Sequence, residues 1–319
     1  MILVIGGLNG FVGSNTTEAL LEQGVDCVVT RHKNPEVPRF LEKHVGKRLF
    51  VESADATSLD DLRRIGGKHK IDGIVNPAGG FKSADGNPLP GLKGYFDMLS
   101  SVFKVAEEWK VKRVLFSSTA GVYFGLQGGP ISEDQMLPLS SPFPLIAYQK
   151  VVEIAASEFA KKTGISTVCV RLMGMFGPGQ DPAAAFSFVS RVVLAAVAGK
   201  PPSSEGMFGG QQSDDGEDLL YIKDMARAIA LLQLSGNLSS DVYNVCSGRL
   251  TSNRDVVEAV KEAVPGFKMD LPPGKSPDPM PIPILDTKRL KTDVGFSPTF
   301  DTRSAVRHYV QWLRAGNAK

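Results

Sequence analysis

The sequence predicts an α/β fold: a doubly wound parallel sheet with a small C-terminal lobe. Three observations lead there. Short apolar runs recur at residues 2–5, 26–30, 48–52, 73–76, 114–117, 166–171 and 242–245. Helical stretches separate the early runs, at 14–23, 59–65, 92–109 and 148–162. A glycine-rich turn, residues 7–13, follows the first run directly. Strands alternating with helices require parallel pairing and right-handed crossovers. Such strands are covered on both faces, so they read as apolar throughout instead of alternating.

Composition narrows the function classes. The 319 residues carry 36 Lys and Arg against 34 Asp and Glu, a formal net charge of +2. That balance gives no global case for nucleic-acid or membrane-surface binding. Hydrophobic residues make up 42%, which argues against disorder. No run of about 18 apolar residues exists, so no membrane span is expected. The first residues lack a basic leader and read as a buried strand. Cys27, Cys169 and Cys246 lie far apart in apolar sequence, as expected of buried thiols in a reduced cytoplasm. His32, His44, His69 and His308 have no metal-ligand spacing, so no metal is expected. Gly274-Lys275-Ser276 fails as a phosphate loop, because Met269 stands where its first glycine is required.

The length suggests about two units. Residues 1–171 hold the regular strand-helix alternation and form the first. Residues 172–319 read mainly as a smaller lobe, returning to the sheet near 219–248. Residues 183–198 read as a helix and 206–218 as a glycine-rich, acidic loop. Six prolines between 272 and 283 exclude a regular helix there.

The 33 glycines exceed the usual share of about 7%. The most informative are Gly7, Gly10 and Gly13, in Gly7-Leu8-Asn9-Gly10-Phe11-Val12-Gly13. A strand precedes them and a helix follows. Glycines let backbone approach a pyrophosphate, and a helix N-terminus offers free N–H groups and partial positive charge. A turn with packing value only is the plainer alternative, and the strand-helix context disfavours it.

The Gly-x-x-Gly-x-x-Gly spacing resembles the cofactor loop of extended short-chain dehydrogenases/reductases, the NAD-dependent epimerase/dehydratase family. Other segments are similar in the same order: Asp55-Ala56, Asn76-Pro77-Ala78-Gly79, Ser117-Ser118-Thr119-Ala120-Gly121-Val122-Tyr123, Arg171-Leu172-Met173-Gly174 with Gly177-Pro178-Gly179, and Leu220-Tyr221-Ile222-Lys223-Asp224. The resemblance covers almost the whole chain. It implies a Rossmann-type NAD(P)-binding domain with a substrate lobe. It also implies cofactor contacts from Gly7, Asn9, Gly10, Phe11, Val12, Gly13, Asp55, Ala56, Pro77, Ala78, Gly79 and Lys150.

An acidic residue after the second strand would hold the ribose 2′-OH of NAD. Here the segment is Thr30-Arg31-His32-Lys33. Arg31, with Lys33 second, would pair with a 2′-phosphate, which favours NADP over NAD. A solvated basic turn is the plainer alternative.

The resemblance implies hydride transfer, with a Ser or Thr polarising the substrate oxygen and a Tyr moving the proton beside a Lys four residues on. Thr119 stands at the Ser/Thr position. The Tyr-x-x-x-Lys element is altered: Ser141-Pro142-Phe143 carries Phe for the expected Tyr, and only Tyr148 and Lys150 follow. On a regular helix these two lie about 200° apart. Two readings are open. In the first, favoured because a Tyr and a Lys both survive within the right ten residues, the helix starts after Tyr148 or bends, and Tyr148 and Lys150 converge as catalytic residues with Thr119; in the second, the dyad is lost. Tyr123 is a substitute for the proton step, or a packing tyrosine.

The substrate half departs as well. Gly174 replaces the Asn of the family's sugar-nucleotide members. Asp218, amid Asp214, Asp215 and Glu217, sits where an Arg is typical. An acidic loop suits a diphosphate poorly. Phe81, Tyr123, Phe143, Met173 and Met175 are candidates for a partly apolar substrate pocket, or for plain core. The expectation is an NADP-dependent oxidoreductase acting on a small alcohol or ketone. The alternatives are an NAD-dependent sugar-nucleotide epimerase or dehydratase, and an inactive cofactor-binding regulator. The resemblance further implies a homodimer through helices 92–109 and 148–162.

Overall fold

The computed structural model describes residues 1–32, 34–77, 88–141, 143–181, 187–202, 210–277 and 283–317. The apolar runs become β1 (Ile2–Val4), β2 (Cys27–Arg31), β3 (Leu49–Ser53), β4 (Gly73–Asn76), β5 (Arg113–Thr119), β6 (Ser166–Leu172) and, after three short strands and two helices given below, β10 (Val242–Val245). All pair in parallel, in the order β10-β6-β5-β4-β1-β2-β3. The order reverses between β1 and β4. There the flanking connections leave on opposite faces and open a crevice at the carboxyl ends of the strands.

Helices cover both faces. α1 (Phe11–Glu22) and α7 (Ile222–Leu234) bury one side with Val4, Val29, Val75 and Leu115. α3 (Leu59–Lys68), α4 (Pro88–Trp109) and α5 (Pro144–Thr163) bury the other with Leu3, Val28, Ile74 and Val114. The short α2 (Arg39–Glu42) packs Leu41 under α1. The middle residues of the central strands, such as Val114–Phe116 and Val168–Val170, are apolar because each strand is buried on both sides.

Beyond β6 the chain forms β7 (Met175–Phe176), α6 (Phe188–Ala198), β8 (Gly216–Asp218) and β9 (Leu220–Tyr221) before α7. After β10 come β11 (Leu250–Ser252), α8 (Asn253–Ala263), α9 (Lys288–Val294) and α10 (Thr302–Arg314). α6, α8 and α10 enclose a separate core around Val192, Val256 and Val306. Two-stranded pairs, β7 with β9 and β8 with β11, tie this lobe to the sheet.

One boundary differs from expectation in a way that matters. The helix read from residue 148 begins at Pro144, with Phe143 as its N-cap. A proline at the first helical position lacks only an N–H that has no partner there anyway, and its φ is preset for helix. Among the described residues no helix is long and apolar enough to cross a membrane. Cys27, Cys169 and Cys246 are buried free thiols.

Candidate active site

The glycine turn lies at the reversal of strand order. A Cβ at Gly13 would sit 2.7 Å from the Gly6 carbonyl oxygen and 3.1 Å from the Gly7 Cα. One at Gly10 would meet the same oxygen at 2.7 Å, and one at Gly7 would meet Thr17, Val29 and Val4 at 2.8 Å. The three glycines therefore let α1 seat directly on the turn. Thr17 locks it, its hydroxyl meeting the Gly7 and Gly13 carbonyls at 3.1 and 2.9 Å. Ser58, Ser187, Ser252 and Asp301 cap α3, α6, α8 and α10 with their side chains. α1, like α2, α5, α7 and α9, has no such cap, and it has no acid in its first turn. Its first amides remain available to an anion, which is what a pyrophosphate requires. Asn9 and Gly10 are exposed, and Phe11 and Val12 partly so. The Asn9 side chain donates to the Glu36 carbonyl at 2.6 Å.

At the end of β2, the Thr30 hydroxyl accepts from the Gly6 N–H at 2.7 Å. The side chain facing the glycine turn is thus neutral, and the partly buried Arg31 follows it. Asp55 lies across the same edge, 3.8 Å from His32. The Thr57 N–H and hydroxyl hold the Asp55 carboxyl below the usual range, so it is built into its turn beside Ala56. Pro77 stands just beyond β4. Lys33, Ala78, Gly79 and Phe81 lie outside the described residues.

Thr119 ends β5 at the crevice, partly exposed. Its oxygen accepts from the Gly121 N–H at 3.1 Å and caps the 3-10 turn Ala120–Tyr123. A hydroxyl that accepts still has its hydrogen to donate.

The structure does not bring Tyr148 and Lys150 together. Both sit inside α5, because that helix starts at Pro144 and runs on through them. Tyr148 is 9% exposed and packs on Tyr95 of α4, with ring centroids 5.7 Å apart. Lys150 instead turns to the loop before α5, donating to the carbonyls of Pro138 and, at 2.9 Å, Ser140. Partial burial lowers its pKa. The face of α5 toward the sheet carries Gln149 and, one turn on, Glu153.

Glu153 anchors a buried network. It forms a two-point ion pair with Arg171 (3.0 and 2.6 Å) and accepts from the Ser118 hydroxyl at 2.5 Å. Arg171 also donates to the Tyr123 hydroxyl at 2.6 Å, which donates to Asn244 at 2.8 Å. Burial works against the Arg171 charge, but the bonds and charge of Glu153 outweigh it and raise its pKa. Tyr123 is 1% exposed and its hydroxyl is committed at both ends. It is a framework residue, not a substrate contact.

The other pocket candidates separate. Phe143 is the α5 N-cap, 40% exposed, its ring edge-on to Phe124 at 6.5 Å. Met173 packs on the cluster around Tyr123 and Ile131. Met175 packs against the α1–α7 core. Gly174 has φ +59, and a Cβ there would lie 1.9 Å from the Asp218 carbonyl oxygen. That close approach sets the β8–β9 segment against the carboxyl end of β6.

Asp218 and Glu217 alternate along β8 and meet different fates. Asp218 is fully buried, and its carboxylate ties Ser247, Gly248 and Leu285 together. Among the described residues Glu217, part-exposed, accepts one long bond, from the Phe188 N–H at 3.4 Å. Burial pushes its pKa up to about 7 from an ordinary 4.5, against that one bond. The folded protein therefore holds the Glu217 proton more tightly than the unfolded chain, and stability falls as pH rises from about 4.5 to 7. Glu217→Gln should leave the melting temperature unchanged near pH 4. At pH 8 it should stabilise by on the order of 1–3 kcal/mol, read from thermal melts across that range.

Similarity to known proteins extends over the whole chain. The chain is 24% identical to a putative UDP-glucose 4-epimerase of Methanocaldococcus jannaschii, over 99% of both. The UDP-glucose 4-epimerase of Thermotoga maritima, solved with UDP-glucose, superposes with a TM-score of 0.82 at 22% identity, over 99% of both chains. The dTDP-glucose 4,6-dehydratase of Bacillus anthracis, solved with NAD, gives 0.79 at 19%, over 98% of this chain and 96% of that one. The model of the NAD-dependent epimerase/dehydratase family matches residues 2–246, which contain the glycine turn, Thr119 and the β7–β9 pair, and the chain belongs to that family.

Proposed function

We propose that the protein binds a nicotinamide dinucleotide in the β1–β4 crevice and oxidises and re-reduces a sugar nucleotide there. The observation that carries this is the uncapped glycine cradle opening onto the same carboxyl-end crevice as Thr119. The sugar-nucleotide relatives, matched end to end, favour that substrate class over a small alcohol or ketone. The α1 amides and glycine turn hold the pyrophosphate. Nicotinamide, when bound, supplies the hydride acceptor. Thr119 donates its hydroxyl hydrogen to the substrate oxygen and so orients the carbon that reacts. Oxidation sends the hydride to nicotinamide and releases the substrate hydroxyl proton to water in the open crevice, and Tyr148, packed on α4, takes no part in that release. Tyr148→Phe should leave hydride transfer within about twofold, whereas Thr119→Val should lower kcat by about 10²-fold or more, each followed by nicotinamide absorbance in single turnover.

NAD is the cofactor in this reading. A second reading, NADP with a small non-nucleotide substrate, draws on the neutral Thr30 followed by Arg31, which leaves no described carboxylate on β2 to repel a 2′-phosphate. Identifying the nucleotide released from denatured protein decides between them. Tightly held NAD with no external turnover supports the epimerase or dehydratase reading; NADP supports the second. Nucleotide that is never reduced by either substrate class leaves a regulator.

We also infer a homodimer through α4 and α5. Phe96 is 46% and Ile154 67% exposed beside a narrow apolar groove lined by Leu92, Leu99 and Val151.

A further inference from the structure

Two guanidinium groups are buried among the described residues, and they are provided for differently. Arg171 meets Glu153 in an ion pair. Arg113, the first residue of β5, is 8% exposed and has no carboxylate within ion-pair distance among the described residues. Its Nε donates to the Ser166 hydroxyl at 3.0 Å. Its Nη1 donates to the carbonyls of Leu232 and Ser235 at 2.6 and 2.8 Å. Those bonds close the carbonyl end of α7, where a cation suits the helix dipole. Nη2 has no such task. It donates to nothing among the described residues, and it is not sealed from solvent. The group is planar, so fixing two of its nitrogens also fixes the direction of the third.

Arg113 lines a hollow of about 600 Å³ with Ser166 of β6, Ala160 of α5 and residues 236–241, the loop from α7 to β10. Space of that size suits a small metabolite. The strand residues in this lining lie at the amino ends of their strands, whereas the cofactor crevice lies at the carboxyl ends. Arg113 and Thr119 are opposite ends of β5, about 20 Å apart at a strand rise of about 3.3 Å per residue. A ligand in the hollow is therefore remote from the nicotinamide chemistry. The amides of residues 236–238 also donate to nothing among the described residues, so the loop adds donors beside the guanidinium. Asp241, exposed on the same lining, brings the opposite charge. It repels a bare anion, but it accepts from hydroxyls carried beside one.

We propose that this hollow is a second ligand site, binding a small hydroxylated oxyanion of the class of sugar phosphates and sugar acids. Arg113 and the loop amides hold the oxyanion, and Asp241 holds a hydroxyl. The site is independent of which nucleotide the crevice takes.

The test is calorimetric titration of the protein as purified with glucose 6-phosphate, glucuronate, inorganic phosphate and glucose. Saturable binding of glucose 6-phosphate or glucuronate is expected, and the tighter of the two tells a phosphate from a carboxylate. Inorganic phosphate and glucose each carry half of the recognised chemistry and should bind at least about tenfold more weakly. Arg113→Met should weaken the tighter probe by about tenfold or more. Ala160→Phe fills the hollow from α5 with Arg113 left in place, and it should weaken that probe as much while a thermal melt shows the fold intact. That variant decides the matter even where Arg113→Met fails to fold. Gly13→Val, which acts on the glycine turn, should leave this binding within about twofold. Binding that survives Ala160→Phe and is lost in Gly13→Val belongs to the crevice and overturns the second site. Inorganic phosphate bound as tightly as glucose 6-phosphate overturns the role of Asp241. No saturable binding of either hydroxylated probe to the unaltered protein overturns the proposal outright.

Discussion

Glu153→Ala is expected to destabilise the protein by about 3–5 kcal/mol, because it leaves the Arg171 guanidinium buried without its anion. The side chains of the pair are only 5% and 8% exposed, so water cannot take over the solvation. The loss spreads beyond the pair. Ser118 loses its acceptor one residue before Thr119, and Arg171 holds the Tyr123 hydroxyl against Asn244. Replacing both partners with apolar residues of similar size, as in Glu153→Leu with Arg171→Met, should recover much of the stability, since no charge is then stranded. Urea unfolding of the single and double variants checks this. A single variant within 1 kcal/mol of the parent would show that the network does not hold the carboxyl ends of β5 and β6 (magnitude about 1, against about 3–5 expected). The double variant should still bind nucleotide, because neither residue faces the glycine turn.

The second large effect is on the cofactor. Gly13→Val places a branched side chain where even a Cβ would lie 2.7 Å from the Gly6 oxygen. The obstacle is backbone on the strand side of the turn, so relief requires α1 to lift away from it. The amides that would meet the pyrophosphate then move together. Overpacking of this kind costs about 1–3 kcal/mol of stability. Nucleotide affinity should fall by about 10²-fold or more, equivalent to about 3 kcal/mol. Fluorescence titration with the reduced nucleotide reads the affinity and a thermal melt reads the fold. Unchanged affinity in a folded variant would remove the glycine turn from the cofactor site.

The glycine turn was legible because its demands are local. A strand, a turn too tight for side chains and a helix start all lie within about a dozen consecutive residues. The altered dyad was legible only as two open possibilities, since Tyr148 and Lys150 survive at the wrong spacing. Pro144 was the deciding signal. It starts α5 before Tyr148, so both side chains enter one regular helix and diverge. Tyr123 illustrates the opposite difficulty: it follows β5 and Thr119 closely in sequence, while its hydroxyl partners, Arg171 and Asn244, come from two other strands.

By itself the sequence determined the order of strands and helices, the parallel sheet they must form and the place of the nucleotide turn. These follow from periodicity, apolar continuity and glycine spacing, which act over a few residues. Tertiary structure alone decided the charged residues. Glu153, Glu217 and Asp218 are the same chemistry in sequence. Among the described residues Glu153 meets a buried arginine, Asp218 meets four internal donors and Glu217 meets a single amide, because partners distant in the chain converge only once the lobe closes on the sheet. That difference separates the carboxylates that hold the framework from one that does not.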